Sequence, residues 1–183
     1  YDDASVYFIR ATNVDDSLSE NAFYHLGDCY LKLDNKQNAR NAFGQASKLK
    51  FDKVINEDAL FNYAKLCYDL SYNPYNEATK AFQQYLKDYP NSLRTDEAYH
   101  FLVNVFTTTK NYKGAIEAIE SIKTLTPELK QAYQKVAYFR GVDLFNNMEY
   151  DEAIKLFDKS MMYKFDKNIS ALAVYWKGES FYR

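Results

Sequence analysis

The chain has 183 residues, 47% of them hydrophobic, with 23 Lys and Arg set against 25 Asp and Glu. That supplies a core, while only five Gly and three Pro leave little material for the turns of barrels and sandwiches. A net charge of −2 without a Lys/Arg cluster argues against a nucleic-acid phosphate footprint, and no apolar run of about 18 residues exists to insert in a bilayer.

Residues 1–14 predict one helix that opens on Tyr1-Asp2-Asp3-Ala4, a phrase that returns as Tyr75-Asn76-Glu77-Ala78, Tyr112-Lys113-Gly114-Ala115 and Tyr150-Asp151-Glu152-Ala153. Residues 19–53 predict a helix pair. Phe23, Leu26, Gly27 and Tyr30 recur at i, i+3, i+4 and i+7, and Ala39, Phe43 and Ala46 follow a polar break. Residues 56–92 repeat it with Leu60 and Ala64, then Ala78 and Phe82, and the stretch 71–76 lengthens the turn by two residues. Residues 95–129 carry Tyr99, Leu102, Val103 and Phe106, then Ala115, with Thr95 expected to cap and Asp96 and Glu97 in the first turn. Residues 130–167 carry Ala137, Gly141 and Leu144, then Ala153 and Phe157, and Thr126-Pro127 reads as an N-cap followed by Pro at the first helical position. Residues 168–183 predict one more helix of the first kind, with Gly178.

Two slots keep this period. The small-residue slot runs Gly27, Ala64, Val103, Gly141, Gly178, in steps of 37, 39, 38 and 37. The alanine that ends the opening phrase runs Ala4, Ala39, Ala78, Ala115, Ala153, in steps of 35, 39, 37 and 38. Two helix axes approach closely only where no bulky side chain intervenes, so these slots mark crossings; Val103 predicts a wider crossing in its unit.

The pattern resembles the tetratricopeptide repeat, whose signature is an aromatic, Leu-Gly, Tyr, Ala, Phe and Pro. The first unit supplies Phe23, Leu26, Gly27, Tyr30, Ala39 and Phe43, and Pro90 and Pro127 fill the proline slot of the next two. The resemblance implies an all-α fold, a right-handed α-α superhelix of helix-turn-helix repeats with about ten helices. Residues 1–14 and 168–183 then read as a second and a first helix of incomplete repeats, and the chain as a fragment of a longer array. The stretch Lys87–Tyr99 is similar to bacterial cell-envelope members, the outer-membrane assembly lipoproteins and the Tol–Pal-associated coordinator, which implies a periplasmic location.

Chemistry is sparse. His25 and His100 are the only histidines, and no HExxH, Gly-rich phosphate loop or GxSxG is present, so no catalytic, cofactor-binding or metal site is predicted. Cys29 and Cys67 lie in apolar helical patterns and read as buried free thiols. The pairs Asp2-Asp3 and Asp15-Asp16 read as helix-start charges. The resemblance places the first helix of each repeat on a concave face. Its inward slot reads Tyr24, Phe61, His100, Tyr138, Tyr175; one turn later come Asp28, Lys65, Asn104, Val142, Glu179, and one turn earlier Asn21, Asp58, Glu97, Lys135, Leu172.

The candidate peptide-binding residues are therefore Tyr24, Asp28, Phe61, Lys65, His100, Asn104, Tyr138 and Tyr175. The competing reading is that these rings pack on one another. Lys65, Asn104 and Lys135 are scattered among Asp28, Asp58 and Glu97, which argues against a clamp for a C-terminal carboxylate. The expected function is a non-catalytic scaffold for a protein or peptide partner. The alternatives are a regulatory or sensor module gating an attached effector domain in a cytoplasmic protein, and carbohydrate handling by the aromatic stripe.

Overall fold

A computed structural model describes residues 1–13, 16–70 and 77–183, and those residues form ten helices and no strand. The helices are α1 (Asp2–Ala11), α2 (Ser17–Lys32), α3 (Lys36–Leu49), α4 (Lys53–Leu70), α5 (Glu77–Asp88), α6 (Thr95–Thr108), α7 (Tyr112–Glu120), α8 (Pro127–Asn146), α9 (Tyr150–Met161) and α10 (Lys167–Tyr182). The even-numbered helices carry the small-residue slot and the odd-numbered ones the alanine slot. Two compact units divide the chain, Tyr1–Phe101 and Leu102–Arg183. Among the described residues no helix is long and apolar enough to cross a membrane.

In three pairs, α2–α3, α6–α7 and α8–α9, the turn is built the same way. Asp34, Lys110 and Met148 adopt φ of 55°, 60° and 64° just past α2, α6 and α8. The next residue's N–H then reaches back five positions: Asn35 to the Tyr30 carbonyl at 2.8 Å, Asn111 to Phe106 at 2.8 Å, Glu149 to Leu144 at 2.9 Å. This closure satisfies carbonyls that a helix end leaves open. The same residue opens the second helix, and Asn35 and Asn111 also cap it, accepting from the Asn38 N–H at 3.2 Å and the Gly114 N–H at 3.1 Å. Thr126 accepts from the Leu129 N–H at 3.3 Å with Pro127 as the first helical residue, as the sequence indicates. Thr95 differs. It lies inside α6 and its hydroxyl donates to the Ser92 carbonyl at 2.6 Å, because the preceding turn offers that acceptor and takes the hydroxyl away from the helix's free N–H groups. The turn at 71–76, with Tyr75 and Asn76 of the second phrase, and Asp15 lie outside the described residues.

The core of the first unit gathers Ala39, Phe43, Ala46, Ala59 and Leu66, with Phe23, Tyr24, Tyr30 and Tyr63 packed against it. A Cβ on Gly27 would lie 2.8 Å from the Phe43 ring, so the glycine is what admits that ring to the crossing. Phe82 is fully buried, stacked on Phe101 at 4.9 Å and edge-on to Phe61 at 6.1 Å. The second unit repeats the plan with Tyr138, Leu144, Ala153, Phe157 and Ala173, and Gly141 admits Phe157. Cys29 and Cys67 are buried free thiols, and burial pushes the Cys67 thiol up.

A buried polar side chain locks each of two inter-repeat connections. Glu20 on α2 accepts from the Phe51 N–H at 3.2 Å and the Asp52 N–H at 2.6 Å, in the link between α3 and α4. Gln134 on α8, likewise seven residues before its glycine, accepts from the Asp166 N–H at 2.9 Å and donates to the Asp166 carbonyl at 2.9 Å.

Candidate functional site

In the first unit, side chains from α2, α4 and the start of α6 meet at the carboxylate of Asp58. The Tyr24 hydroxyl donates to Asp58 Oδ2 at 2.8 Å, and Asn62, one turn along α4, donates to the same oxygen at 2.9 Å. Arg94, just ahead of α6, pairs with Asp58 Oδ1. Its guanidinium also lies 4.9 Å over the Phe61 ring, a cation–π contact that covers the aromatic from the solvent side. Further along the same helices Lys65 faces Glu97 at 4.0 Å and His25 faces Asp28 at 4.0 Å. A hollow of ≈ 440 Å³ opens beside the junction, lined in part by Val54, Glu57, Asp58 and Arg94.

Burial, then the hydrogen bond to Asp58, pushes the Tyr24 phenol far above its usual range, which keeps it a donor. Burial raises the Asp28 carboxyl as well; His25 works against that shift and the Asp58 charge adds to it. Arg94 is held above its ordinary value by the bond to Asp58 although burial opposes it.

Of the sequence-selected residues, the first unit places Tyr24, Asp28, Phe61, Lys65 and His100 on α2, α4 and α6, one helix per repeat. Tyr24 and His100 are half-buried, and the Asp28 and Lys65 side chains are about half-exposed, at 46% and 47%. Phe61 is buried, edge-on to Tyr85 at 5.1 Å as well as to Phe82. In the second unit Asn104 is exposed, Tyr138 is buried against Phe139 and Phe157, and Tyr175 is exposed beside Trp176. Of the two readings of the rings, packing describes Phe61 and Tyr138, because the aromatic of the following helix closes over each.

Sequence reasoning did not single out Arg94, Asn62, Glu20 or Gln134. Arg94 sits in a turn and reaches a partner 36 residues back, so no local pattern marks it. The repeat offers one signal: Asp58 and the Arg94 turn are nearly one period apart. Glu20 and Gln134 occupy the same slot, and that coincidence was available. Among the described residues no group of three or more His, Cys, Asp and Glu is placed to hold a metal ion.

Residues 20–53 and residues 58–92 each match a sequence model of the tetratricopeptide repeat. No curated protein matches the chain. Among solved structures, one of MamA protein is similar at 20% identity with a TM-score of 0.53, over 88% of this chain and 86% of that one. A second structure of MamA is 20% identical with a TM-score of 0.48, over 85% of this chain and 92% of that one. The first likeness concerns the fold alone. Helix pairs crossing at a glycine or alanine slot, with residues 20–53 and 58–92 each matching a repeat model, support a tetratricopeptide-repeat protein, an interaction scaffold.

Proposed function

We propose that the chain is a non-catalytic scaffold that binds a segment of another protein along the face of its first helices. Tyr24, Asp28, Lys65 and His100 are the contact residues in the first unit, and Asn104 and Tyr175 those in the second. Phe61 and Tyr138 stiffen the face from beneath.

The observation that carries this reading is the Asp58 junction. One carboxylate takes donors from α2, α4 and the turn before α6, so three consecutive first helices are tied side by side before a ligand arrives. A surface fixed in advance loses less conformational entropy on binding. Around the junction Asp28, Lys65 and Glu97 offer both signs of charge over buried rings, which is the anatomy of a polar rim on an aromatic floor.

Peptides selected from a random displayed library against the chain provide the test. Their affinity for the chain is compared by fluorescence anisotropy with that for an Asp28→Lys, Lys65→Glu double variant whose helicity is checked by circular dichroism. We expect about tenfold or greater weakening, since both side chains are half-exposed and reversal replaces attraction by repulsion. Peptides that bind the folded variant as tightly as the parent would place the site on another face.

A further inference from the structure

Glu57 on α4 stands in the slot of Glu20 and Gln134, seven residues before the crossing residue Ala64. Its surroundings differ. Glu20 and Gln134 are fully buried, and each takes backbone N–H groups from the link that follows its second helix: Phe51 and Asp52 after α3, Asp166 after α9. After α5, the step of 39 residues that takes Ala39 to Ala78 also takes Phe51 to Pro90, and proline has no N–H to give. Other N–H groups of that link are used within it. Ser92 donates to the Tyr89 carbonyl at 3.1 Å, Arg94 to Ser92 Oγ at 3.1 Å and Thr95 to the Ser92 carbonyl at 3.3 Å. Glu57 is therefore half-buried rather than closed over.

The Glu57 side chain lines the hollow of ≈ 440 Å³ beside the Asp58 junction. One of its oxygens accepts from the Tyr85 hydroxyl at 3.1 Å, and that hydroxyl also meets Ser92 Oγ at 2.7 Å. None of the ion pairs among the described residues involves Glu57. The neighbouring Asp58 is already answered by Arg94, Tyr24 and Asn62. Glu57 is thus the one charge lining the hollow that has no counter-charge. The lining also includes Val54, 77% exposed, and Leu93, fully exposed. A carboxylate beside exposed apolar flanks suits a long aliphatic stem that ends in a cation.

We propose that this hollow takes a basic side chain, lysine or arginine, of the bound protein segment, with its charged head on Glu57 and its stem against Val54 and Leu93. The inference rests on the first-helix face being where that segment binds, and it names what the segment carries beside the N-terminal turn of α4. The slot that receives N–H donors from the link in α2 and α8 receives them here from the partner. Charge selects the occupant. An acidic side chain would meet Glu57 as a like charge, and the Arg94 guanidinium is already engaged by Asp58 and the Phe61 ring.

Peptides selected on the parent chain from a random displayed library are the probe, and fluorescence anisotropy gives their affinities. Each Lys and Arg of a selected peptide is replaced in turn by Gln and measured against the parent and against Glu57→Gln. That variant keeps an acceptor for the Tyr85 hydroxyl and copies the residue at Gln134, so it keeps the fold, which circular dichroism checks. One basic residue per peptide is expected to couple. Its replacement weakens binding to the parent by about fivefold or more and leaves binding to Glu57→Gln unchanged. The Asp28→Lys, Lys65→Glu variant reads the binding face separately. Peptides that this reversal weakens, but in which no basic residue couples to Glu57, overturn the basic-residue site and leave the face standing. Peptides indifferent to both changes, or a library that yields no binder, overturn the face and the site together. Coupling to Glu57 without sensitivity to the reversal upholds the site and overturns the contacts assigned to Asp28 and Lys65.

Discussion

Gly141→Ala and Gly178→Ala form a matched pair that measures the crossing directly. Both glycines lie in helices of the second unit, so one unfolding transition reports on both. Alanine gains about 1 kcal/mol over glycine inside a helix, and this term is common to the two variants. At Gly178 it acts alone, because nothing lies within 4 Å of the new methyl. At Gly141 the methyl would sit 2.7 Å from Phe157 Cε1, 2.9 Å from Cδ1 and 3.1 Å from Cζ. The Phe157 ring is fully buried and held against Tyr138, so it cannot swing aside without repacking its neighbours. Overpacking of that kind costs about 1–3 kcal/mol. Gly178→Ala should therefore raise stability by about 1 kcal/mol, and Gly141→Ala should fall below it by the packing cost of about 1–3 kcal/mol. Urea unfolding followed by circular dichroism gives both midpoints. Equal shifts in the same direction would show that Phe157 yields freely and that the glycine slot does not set the crossing.

Glu20→Ala removes the acceptor of two backbone N–H groups between α3 and α4; at about 1.5–3 kcal/mol for a bond to a charged group, and with water replacing part of the loss, about 2–4 kcal/mol of stability should go. Glu20→Gln, which copies the residue found at Gln134, should recover much of it, and a negligible loss for the alanine variant in the same urea assay would count against the lock. Tyr85 is predicted to shape alkaline stability. Burial first, and then the hydrogen bond and charge of Glu57 working against the Ser92 contact, push its phenol up to about 12 from a usual 10.0. Its contribution is whole below pH about 10 and is lost as pH climbs through about 12, because the unfolded phenol ionises first. Tyr85→Phe should flatten the fall of stability over that window; an unchanged slope would refute the assignment.

The helix pairs were legible because two slots repeat independently, and both are backbone-approach slots that tolerate few residue types. The phrase at Tyr150 and its relatives marks the start of a second helix through local signals that differ from copy to copy: first-turn acids in α1 and α9, and the Asn111 cap in α7. The turns between paired helices were less legible. Asp34, Lys110 and Met148 carry positive φ without being Gly or Asn, so no residue type announces the left-handed position. Glu20 and Gln134 look like ordinary polar helix residues, and only the connection folding back over them makes them interior. The exposed and covered rings were not separable from one sequence, since a small rotation of the helix decides which side of a slot faces the next helix.

That last ambiguity has a geometric cause. The ring slot precedes the crossing slot by three residues: Tyr24 before Gly27, Phe61 before Ala64, Tyr138 before Gly141. Residues three apart share a helix face, so each ring is drawn towards the aromatic that the crossing admits. The distances repeat: Tyr24 to Phe43 is 5.8 Å, Phe61 to Phe82 is 6.1 Å, Tyr138 to Phe157 is 6.3 Å. The rings are thus part of the mechanism that holds a repeat together, and Tyr175 stands free where no such aromatic meets Gly178. On the proposed reading, a partner in the first unit meets Tyr24 and His100 together with the charges one turn to either side, at Asp28, Lys65 and Glu97, while Asp58 is held in the junction. Substitutions in those polar rows leave the crossing intact. On this arrangement the chain can change what it binds without changing how it folds, and a ligand's specificity should follow the charges of the rows rather than the identity of the rings.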